Sequence, residues 1–148
     1  MQGWIIRIGI VGAIAVGALI FRDRLSGSAG ELKVGDCFDL PAAQTNIKDV
    51  QHHPCEESHT GEVISLVIHP AAKGASVLSQ SELLVFLTTQ CGASFYQYTG
   101  TDADSQNVLD YGAFYPADQD WNDGDRGVTC YAYRLDEGPM TGSLRKAP

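Results

Sequence analysis

The sequence predicts an α+β domain: a small, mainly antiparallel sheet with one amphipathic helix packed on it, two disulfides, and a single N-terminal transmembrane helix before it. Three observations lead to this prediction. Residues 61–69 form a β-branched apolar run, the residues after Ser79 repeat with helical spacing, and four cysteines follow an apolar leader. A chain of 148 residues has room for one such domain.

The leader, residues 1–24, is predicted to be a transmembrane helix or signal anchor. Residues 4–21 read WIIRIGIVGAIAVGALIF, with Arg7 as the only charge. Eighteen helical residues span about 27 Å, close to the hydrocarbon core of about 30 Å. Cleavage as a signal peptide is the alternative, because Gly27-Ser28-Ala29 has the small residues that a cleavage site needs. The charged Arg22-Asp23-Arg24 that ends the apolar run favours the anchor.

Residues 25–30 read as a short flexible linker, and residues 31–148 as the domain. Arg22 and Arg24 favour a cytoplasmic domain by the positive-inside rule. The cysteines argue the other way, since an even set behind an apolar leader is typical of an oxidising compartment. We give the cysteines more weight. We therefore predict a single-pass protein of the cell membrane, with a cytoplasmic N-terminus and an extracytoplasmic domain, or a secreted domain if the leader is cleaved.

The predicted domain is strongly acidic. Residues 31–148 contain 17 acidic and 7 basic side chains, which gives a net charge of −10. Nucleic acid repels a surface of this sign, which excludes a nucleic-acid partner. The expected partners are the lipid bilayer, through residues 4–21, and a membrane protein or another envelope component.

The first strands come before residue 70. Residues 32–40 read as a strand interrupted at Gly35-Asp36, and residues 50–55 as a short extended piece. Residues 61–69 are almost continuously apolar, which is typical of a central strand covered on both faces.

One helix is predicted over about residues 80–98. Ser79 and Glu82 form a capping box, and Gly100 closes the pattern. The inward face recurs at spacings of three and four: Leu84, Leu87, Cys91, Phe95 and Tyr98. Strands are then predicted over residues 108–115 and 128–134, with a last short strand near residues 140–144.

The cysteines allow three pairings. We favour Cys91–Cys130, because one faces inward from the helix and the other lies on one face of a late strand, and Cys37–Cys55, because they flank one loop. A zinc site is the alternative, with Cys55 and His59 at a suitable spacing and Cys37 with His52 or His53 nearby. No CxxC pair occurs, and an oxidising compartment favours disulfides, so neither a cofactor nor a metal is expected.

The acidic stretch DQDWNDGDRGVTC, residues 118–130, raises the question of a calcium loop. Read as an EF-hand from Asp118, it has Asp123 where glycine is required and Thr129 where glutamate is required. The register therefore fails. Asp118, Asp120 and Asp123 remain candidates for a weaker, different cation site, although the stretch reads as a structural turn.

Enzyme signatures are missing from the sequence. It contains no G-x-S-x-G elbow, HExxH, P-loop or GxGxxG. The alternative to a binding protein is an extracytoplasmic cell-wall enzyme or metal-binding protein, and its best residues are Glu56, His59, Asp123 and Asp125. A purely structural role is the other interpretation of His59: a polar-loop histidine that hydrogen-bonds near the start of the next strand.

Several short motifs occur in a characteristic order. They are GDCF at residues 35–38, Cys55-x-x-x-His59 followed by Glu62-Val63, and WxxGDRxxxC at residues 121–130. In this order the chain resembles the bacterial septum-formation domain family of membrane-anchored actinobacterial envelope proteins. The likeness extends over residues 35–144.

The resemblance implies a link to cell division and supplies no catalytic residues. It also implies structural roles for the residues of these motifs. Gly35 and Asp36 would form the turn at the GDCF motif. Gly124 would adopt a left-handed turn, Asp125 would accept backbone N–H bonds, Arg126 would pair with a loop carboxylate, and Trp121 would pack beside the Cys130 disulfide.

From residues and resemblance together we expect a membrane-anchored, extracytoplasmic protein-interaction domain. It would act in septum or envelope assembly, or as an accessory subunit of a membrane protein complex, without catalysis of its own.

Overall fold

The computed structural model describes residues 26–27, 31–41 and 50–148. The predicted transmembrane segment, residues 4–21, lies outside the described residues. Within the described part of the chain, no helix is both long enough and apolar enough to cross a bilayer.

The described strands form one antiparallel sheet. In chain order they are β1 (Ser26–Gly27), β2 (Cys37–Asp39), β3 (Val50–His53), β4 (Gly61–Ile68), β5 (Leu109–Phe114) and β6 (Gly127–Arg134). Their order across the sheet is β1-β3-β2-β4-β6-β5, and every neighbouring pair is antiparallel. Helix α1 spans Gln80–Thr99, a 3₁₀ turn spans Ala103–Ser105, and a short helix α2 spans Asp118–Asp123. The predicted antiparallel sheet with one packed helix is confirmed.

The longest strands, β4 and β6, form the centre of the sheet. β4 pairs with β6 along its whole length, apart from a bulge between Val63 and Ser65. It pairs with β2 only at Gly61 and Glu62. The predicted central position of the apolar run is therefore confirmed, although β2 covers only one end of it. The predicted burial on both faces is wrong for its second half, because Leu66 and Ile68 are 50% and 74% exposed.

Helix α1 begins and ends as predicted. Ser79 Oγ accepts from the backbone N–H of Glu82 at 3.3 Å, the Ser79 N–H donates to Glu82 Oε2 at 2.8 Å, and Gly100 is left-handed with φ 76°. Leu84 does not face inward as predicted, since 63% of it is exposed. At this end of the helix, Phe86 and Leu87 pack against the core instead.

The two faces of the sheet carry separate apolar clusters. The face under α1 holds one buried cluster: Ile64, Cys91, Phe95, Tyr98, Val128, Cys130 and Ala132. Strand alternation places a second cluster on the opposite face: Leu32, Phe38, Val50, Val63, Phe114 and Tyr131. In this second cluster, the Tyr131 ring packs 4.6 Å from Phe114 and covers Gly112, where any Cβ would come within 2.5 Å of it.

The two expected disulfides form in the favoured pairing. Cys91–Cys130 joins helix α1 to strand β6, and Cys37–Cys55 joins β2 to the turn after β3. The first lies within the helix-side cluster, so it links the only long helix of the described residues to the central strands.

The predicted strand over residues 140–144 is wrong. Met140 makes only an isolated bridge to His59, and Gly142 has a left-handed φ of 85°. Beyond it, the Leu144 N–H donates to the side chain of Glu62 at 2.6 Å instead of to a neighbouring strand. The C-terminal tail is therefore held by the Glu62 side chain together with single backbone bonds, such as that from the Lys146 N–H to the Tyr98 carbonyl at 2.9 Å.

We expect the two disulfides to stabilise the fold to different extents. Their sequence separations are 39 residues for Cys91–Cys130 and 18 for Cys37–Cys55. Replacing both cysteines of a pair by alanine should lower the free energy of unfolding by about 4 kcal/mol for the first and about 3 kcal/mol for the second, by loop-closure entropy. Urea unfolding followed by tryptophan fluorescence measures both. A smaller loss for Cys91–Cys130 than for Cys37–Cys55 would contradict this ranking.

The buried Tyr131 predicts a loss of stability at high pH. Burial, with a smaller contribution from Tyr133, raises the pKa of Tyr131 from 10.0 to about 12. As the pH rises, Tyr131 ionises in the unfolded chain before it ionises in the folded protein. The contribution of Tyr131 to the free energy of unfolding is therefore complete below pH 10 and is lost as the pH rises through 12. Between pH 9 and 11.5, Tyr131→Phe should lose about 2 kcal/mol less unfolding free energy than the wild type. Tyr96→Phe, at a 58% exposed position, is the control and should fall as the wild type does.

Candidate functional site

A cavity of about 310 Å³ opens between the start of helix α1, the loop before it and helix α2. We call it the Trp121 pocket and define it by these lining residues: His69, Val77, Leu83, Phe86, Tyr115, Asp118 and Trp121. These residues come from three separate segments of the chain: the residue after β4, residues 77–86 and residues 115–121. Most of them are apolar or aromatic, with Asp118 contributing a carboxylate.

Three rings form one side of the Trp121 pocket. The His69 ring centroid lies 4.5 Å from that of Phe86 and 5.1 Å from that of Trp121. Backbone hydrogen bonds fix two of these rings. Trp121 Nε1 donates to the Ala75 carbonyl at 3.0 Å, and His69 Nδ1 accepts from the Ala71 N–H at 3.1 Å.

Arg126 holds the walls of the pocket together. It is 8% exposed, and its guanidinium carbon lies 3.8 Å from the Trp121 ring centroid. Nε and Nη2 donate to the Ala71 and Ala72 carbonyls at 3.1 and 2.9 Å. Nη1 donates to the carbonyls of Trp121 and Asp125, both at 2.6 Å. One side chain thus ties the loop after β4 to helix α2.

The pairing of Arg126 with a loop carboxylate, implied by the family resemblance, is wrong. All four of its hydrogen bonds go to main-chain carbonyls. The Asp125 carboxylate instead accepts from the Gly127 N–H at 2.8 Å, which is the backbone bond expected of it. A planar guanidinium carries several N–H donors, so it can hydrogen-bond several carbonyls that converge on it. Pairing with a single carboxylate would leave those carbonyls without these donors.

The predicted turn over residues 118–130 is partly helical. Residues Asp118–Asp123 form helix α2, and Gly124 ends it with a left-handed φ of 106°. The Asp125 N–H then donates to the Asp120 carbonyl at 2.9 Å. Trp121 is buried on the inner side of this helix, against His69 and Arg126. The glycine is where the resemblance places it, but the aspartates before it belong to a helix.

The surplus aspartates are exposed on helix α2. Asp118, Asp120 and Asp123 all face solvent, and Asp118 also lines the Trp121 pocket. A metal site needs at least three ligand atoms close together. Over the described ranges, only one group of three His, Cys, Asp or Glu side chains has its ligand atoms within 4.8 Å of one another, and it consists of Cys37, Cys55 and Glu62. The structure therefore does not bring the three aspartates together.

The four candidate residues of the alternative enzyme or metal site differ in exposure, because one is buried and three are exposed. His59 is fully buried, its Nδ1 lies 2.9 Å from the Glu57 carbonyl, and it pairs through its backbone with Met140. Glu56, Asp123 and Asp125 are exposed. No open site in the described chain joins three of these four side chains.

The cysteines and histidines of the zinc alternative are already engaged. Cys37 and Cys55 are bonded to each other. His53 Nε2 lies 2.7 Å from Asp39, and His52 Nδ1 lies 3.9 Å from Asp36. At the neighbouring turn, Gly35 has a left-handed φ of 93° and donates its N–H to Val63.

Sequence reasoning missed the most buried carboxylate. Glu62 is 0% exposed; Oε1 accepts from the Tyr98 hydroxyl and the Ser143 hydroxyl, and Oε2 from the Leu144 N–H, each at 2.6 Å. Burial, followed by the hydrogen bond to Glu62, raises the pKa of Tyr98. The available signal was an acidic residue inside an otherwise apolar strand. His69 and Phe86 carried no comparable signal.

Arg126 is expected to control the stability of the pocket. Arg126→Met keeps much of the aliphatic stem but leaves the carbonyls of Ala71, Ala72, Trp121 and Asp125 without these donors. We expect a loss of about 3–5 kcal/mol in the free energy of unfolding, because bonds to charged groups are strong and unpaired buried carbonyls are costly. Arg134→Met is the matched control, since Arg134 pairs with Asp136 at the surface. Equal losses for the two variants in urea unfolding would contradict this role for Arg126.

The chain was compared with known families and proteins. The model described as septum formation matches residues 31–145, which covers the described domain almost completely. No curated protein and no solved structure matches the chain significantly. The matched range includes the GDCF motif, the buried Glu62 and the WxxGDRxxxC motif, which contains Trp121 and Arg126. The chain therefore belongs to the septum-formation family, whose description points to a role in cell division.

Proposed function

We propose that this protein is a membrane-anchored, extracytoplasmic interaction domain that acts in septum or envelope assembly, or as an accessory subunit of a membrane protein complex. It acts by binding and catalyses no reaction of its own. The Trp121 pocket is the observation that carries this proposal. Its occupant is a segment of a partner polypeptide that inserts one large apolar side chain.

The size and walls of the pocket support this occupant. A volume of about 310 Å³ accommodates an aromatic or long aliphatic side chain with part of its backbone. The rings of His69, Phe86 and Trp121 supply apolar and aromatic contact, as interface anchors require. Val77 and Tyr115 stand at the pocket with 40% and 53% of their surfaces exposed, so they are available to a partner.

The pocket is held in shape by the protein itself. The four bonds of Arg126 and the Trp121–Ala75 bond fix the loop, the helix and the indole relative to one another. A preformed site avoids the ordering cost that a mobile loop would pay on binding. This supports a recognition site rather than a gap left by imperfect packing.

Charge favours a partner segment with basic residues beside the apolar anchor. Asp118 lines the pocket, and Asp120 and Asp123 lie exposed on the same short helix. The basic Arg126 is buried and donates to carbonyls, so its guanidinium is not available to contact a partner directly. Lysine or arginine flanking the anchor would be steered to this rim.

The anchor and the compartment rest on other observations. The apolar residues 4–21 support attachment to the bilayer. Two disulfides with no free cysteine in the described residues support an oxidising, extracytoplasmic location. The short linker would then keep the Trp121 pocket near the membrane surface, where a membrane-embedded partner can reach it.

Introducing a positive charge at the pocket tests the binding site. Val77→Arg places a cation among the apolar walls and against a basic partner segment, so co-purification of the partner from native membranes in mild detergent should fall at least tenfold. Val108→Arg is the matched control, because Val108 is 48% exposed and lies outside the pocket. Quantitative mass spectrometry of the eluates measures both.

The outcome separates the possibilities. Loss of the partner with Val77→Arg alone supports the Trp121 pocket as the binding site. Equal retention by both variants, or a chain that purifies alone under several conditions, would contradict the proposed function. Both variants should keep the unfolding midpoint of the wild type, since both positions are surface-exposed.

A further inference from the structure

We infer that the Cys37–Cys55 disulfide is a site of thiol–disulfide exchange, in which an external thiol attacks Cys55 and the Glu62 carboxyl group delivers a proton to the released Cys37. This inference does not depend on the Trp121 pocket or on the proposed partner. It concerns the chemistry of a bond that the fold would otherwise use only as a crosslink.

The two disulfides differ in access. Cys91 and Cys130 are both 0% exposed and lie in the apolar cluster beneath α1. Cys37 is 1% exposed, but Cys55 lies partly exposed in the turn that follows β3. An attacking thiol must reach one sulfur of the bond. Cys55 is the only one of the four disulfide cysteines that is not buried, so we place the attack there.

The surroundings of the exposed disulfide already provide for its reduced form. Cys55 Sγ lies 3.5 Å from the Gly35 carbonyl oxygen, which could accept from a thiol at that position. Cys37 is the direct cross-strand partner of Glu62, and a Glu62 carboxylate oxygen lies within 4.8 Å of both sulfurs. Each thiol produced by reduction thus has an oxygen acceptor close by. Cys91 and Cys130 have no carboxylate grouped with them in the described chain.

Glu62 is fixed in this position. The donors from Tyr98, Ser143 and Leu144 hold both carboxylate oxygens, each at 2.6 Å. The carboxylate cannot turn away from Cys37 without breaking these bonds. Clamping the C-terminal tail alone would not require it to share a face of the sheet with a disulfide.

The exchange balances as two thiol steps. The attacking thiol first loses its proton to solvent. Its thiolate forms a bond to Cys55 Sγ, the Cys37–Cys55 bond breaks, and Cys37 leaves with the electron pair and takes up a proton that reaches it from solvent through the Glu62 carboxyl group. A second thiol then attacks the mixed disulfide, which releases Cys55 as a thiol. The protein disulfide is reduced to two thiols, and two external thiols are oxidised to one disulfide. In the reverse direction, Glu62 takes the proton of Cys37 as it attacks the mixed disulfide at Cys55.

The co-reactant is the dithiol of an oxidoreductase or another uncharged thiol. Glu56 is exposed in the same turn as Cys55, and the domain is strongly acidic, so an anionic thiol would be repelled. Dithiothreitol is a neutral dithiol and serves as the probe.

The first test compares the two disulfides in the folded, full-length chain. Samples in limiting dithiothreitol at pH 8 are alkylated at intervals, and mass spectrometry follows each cysteine pair while circular dichroism follows the fold. We expect Cys37–Cys55 to be reduced at least 100-fold faster than Cys91–Cys130, with the fold retained. Equal rates, or reduction only as the chain unfolds, would overturn the inference.

The second test isolates Glu62. After reduction, reoxidation through the mixed disulfide at Cys55 should be about tenfold slower in Glu62→Gln than in the wild type, and its pH profile should change. Ser143→Ala is the control, because it removes one bond to the same carboxylate and loosens the tail but keeps the acceptor. Equal slowing in Ser143→Ala would reduce Glu62 to a structural role and overturn its part in the exchange. If Glu62→Gln does not fold, Glu62→Asp replaces it and should retain an intermediate rate.

Discussion

The guanidinium of Arg126 is the group on which the arrangement of the candidate site depends. It is buried, it stacks on Trp121, and it donates to carbonyls in two segments that are about fifty residues apart in sequence. A buried charge is tolerated only when its donors are satisfied, and here the acceptors are main-chain oxygens. Because those oxygens belong to the loop after β4 and to helix α2, the position of both segments follows from one side chain. The Trp121 pocket lies between them.

A second buried charge organises the opposite end of the sheet. Glu62 collects donors from helix α1 and the C-terminal tail, and it faces the Cys37–Cys55 disulfide across β2 and β4. Burying a carboxylate without partners would be costly, so these three segments must be in place together. The apolar clusters supply most of the driving force for folding, whereas Arg126 and Glu62 determine which loops and tails dock where. Both lie within residues 31–145, the range that the family model matches.

Local signals predicted the regular elements well. The capping box at Ser79 located α1, and the β-branched run located β4, because both signals act within a few residues. Periodicity alone placed Cys91 on the inward face of the helix and Cys130 on one face of its strand. Long-range contacts were not readable in this way. Residues 140–144 were predicted to form a strand, but the Leu144 N–H donates to the Glu62 side chain instead of to a neighbouring strand.

The candidate site could be predicted only in part. Trp121, Gly124 and Arg126 were recognisable from their motif, but the carbonyls that Arg126 binds carry no side-chain signature. His69 and Phe86 join Trp121 from separate elements, and no spacing in the sequence connects them. The aspartates that resembled a calcium loop are exposed on α2, where only Asp118 contributes to the pocket.

The central claim is that the Trp121 pocket is the surface through which this domain meets its partner. Site-specific photocrosslinking in native membranes tests it most directly, with a photoreactive amino acid placed singly at Val77, Tyr115 or Tyr96. All three positions are exposed, but only the first two line the pocket. The account predicts a discrete crosslinked product from Val77 and Tyr115 and none from Tyr96. Crosslinking from Tyr96 alone, or equal labelling from all three positions, would contradict it.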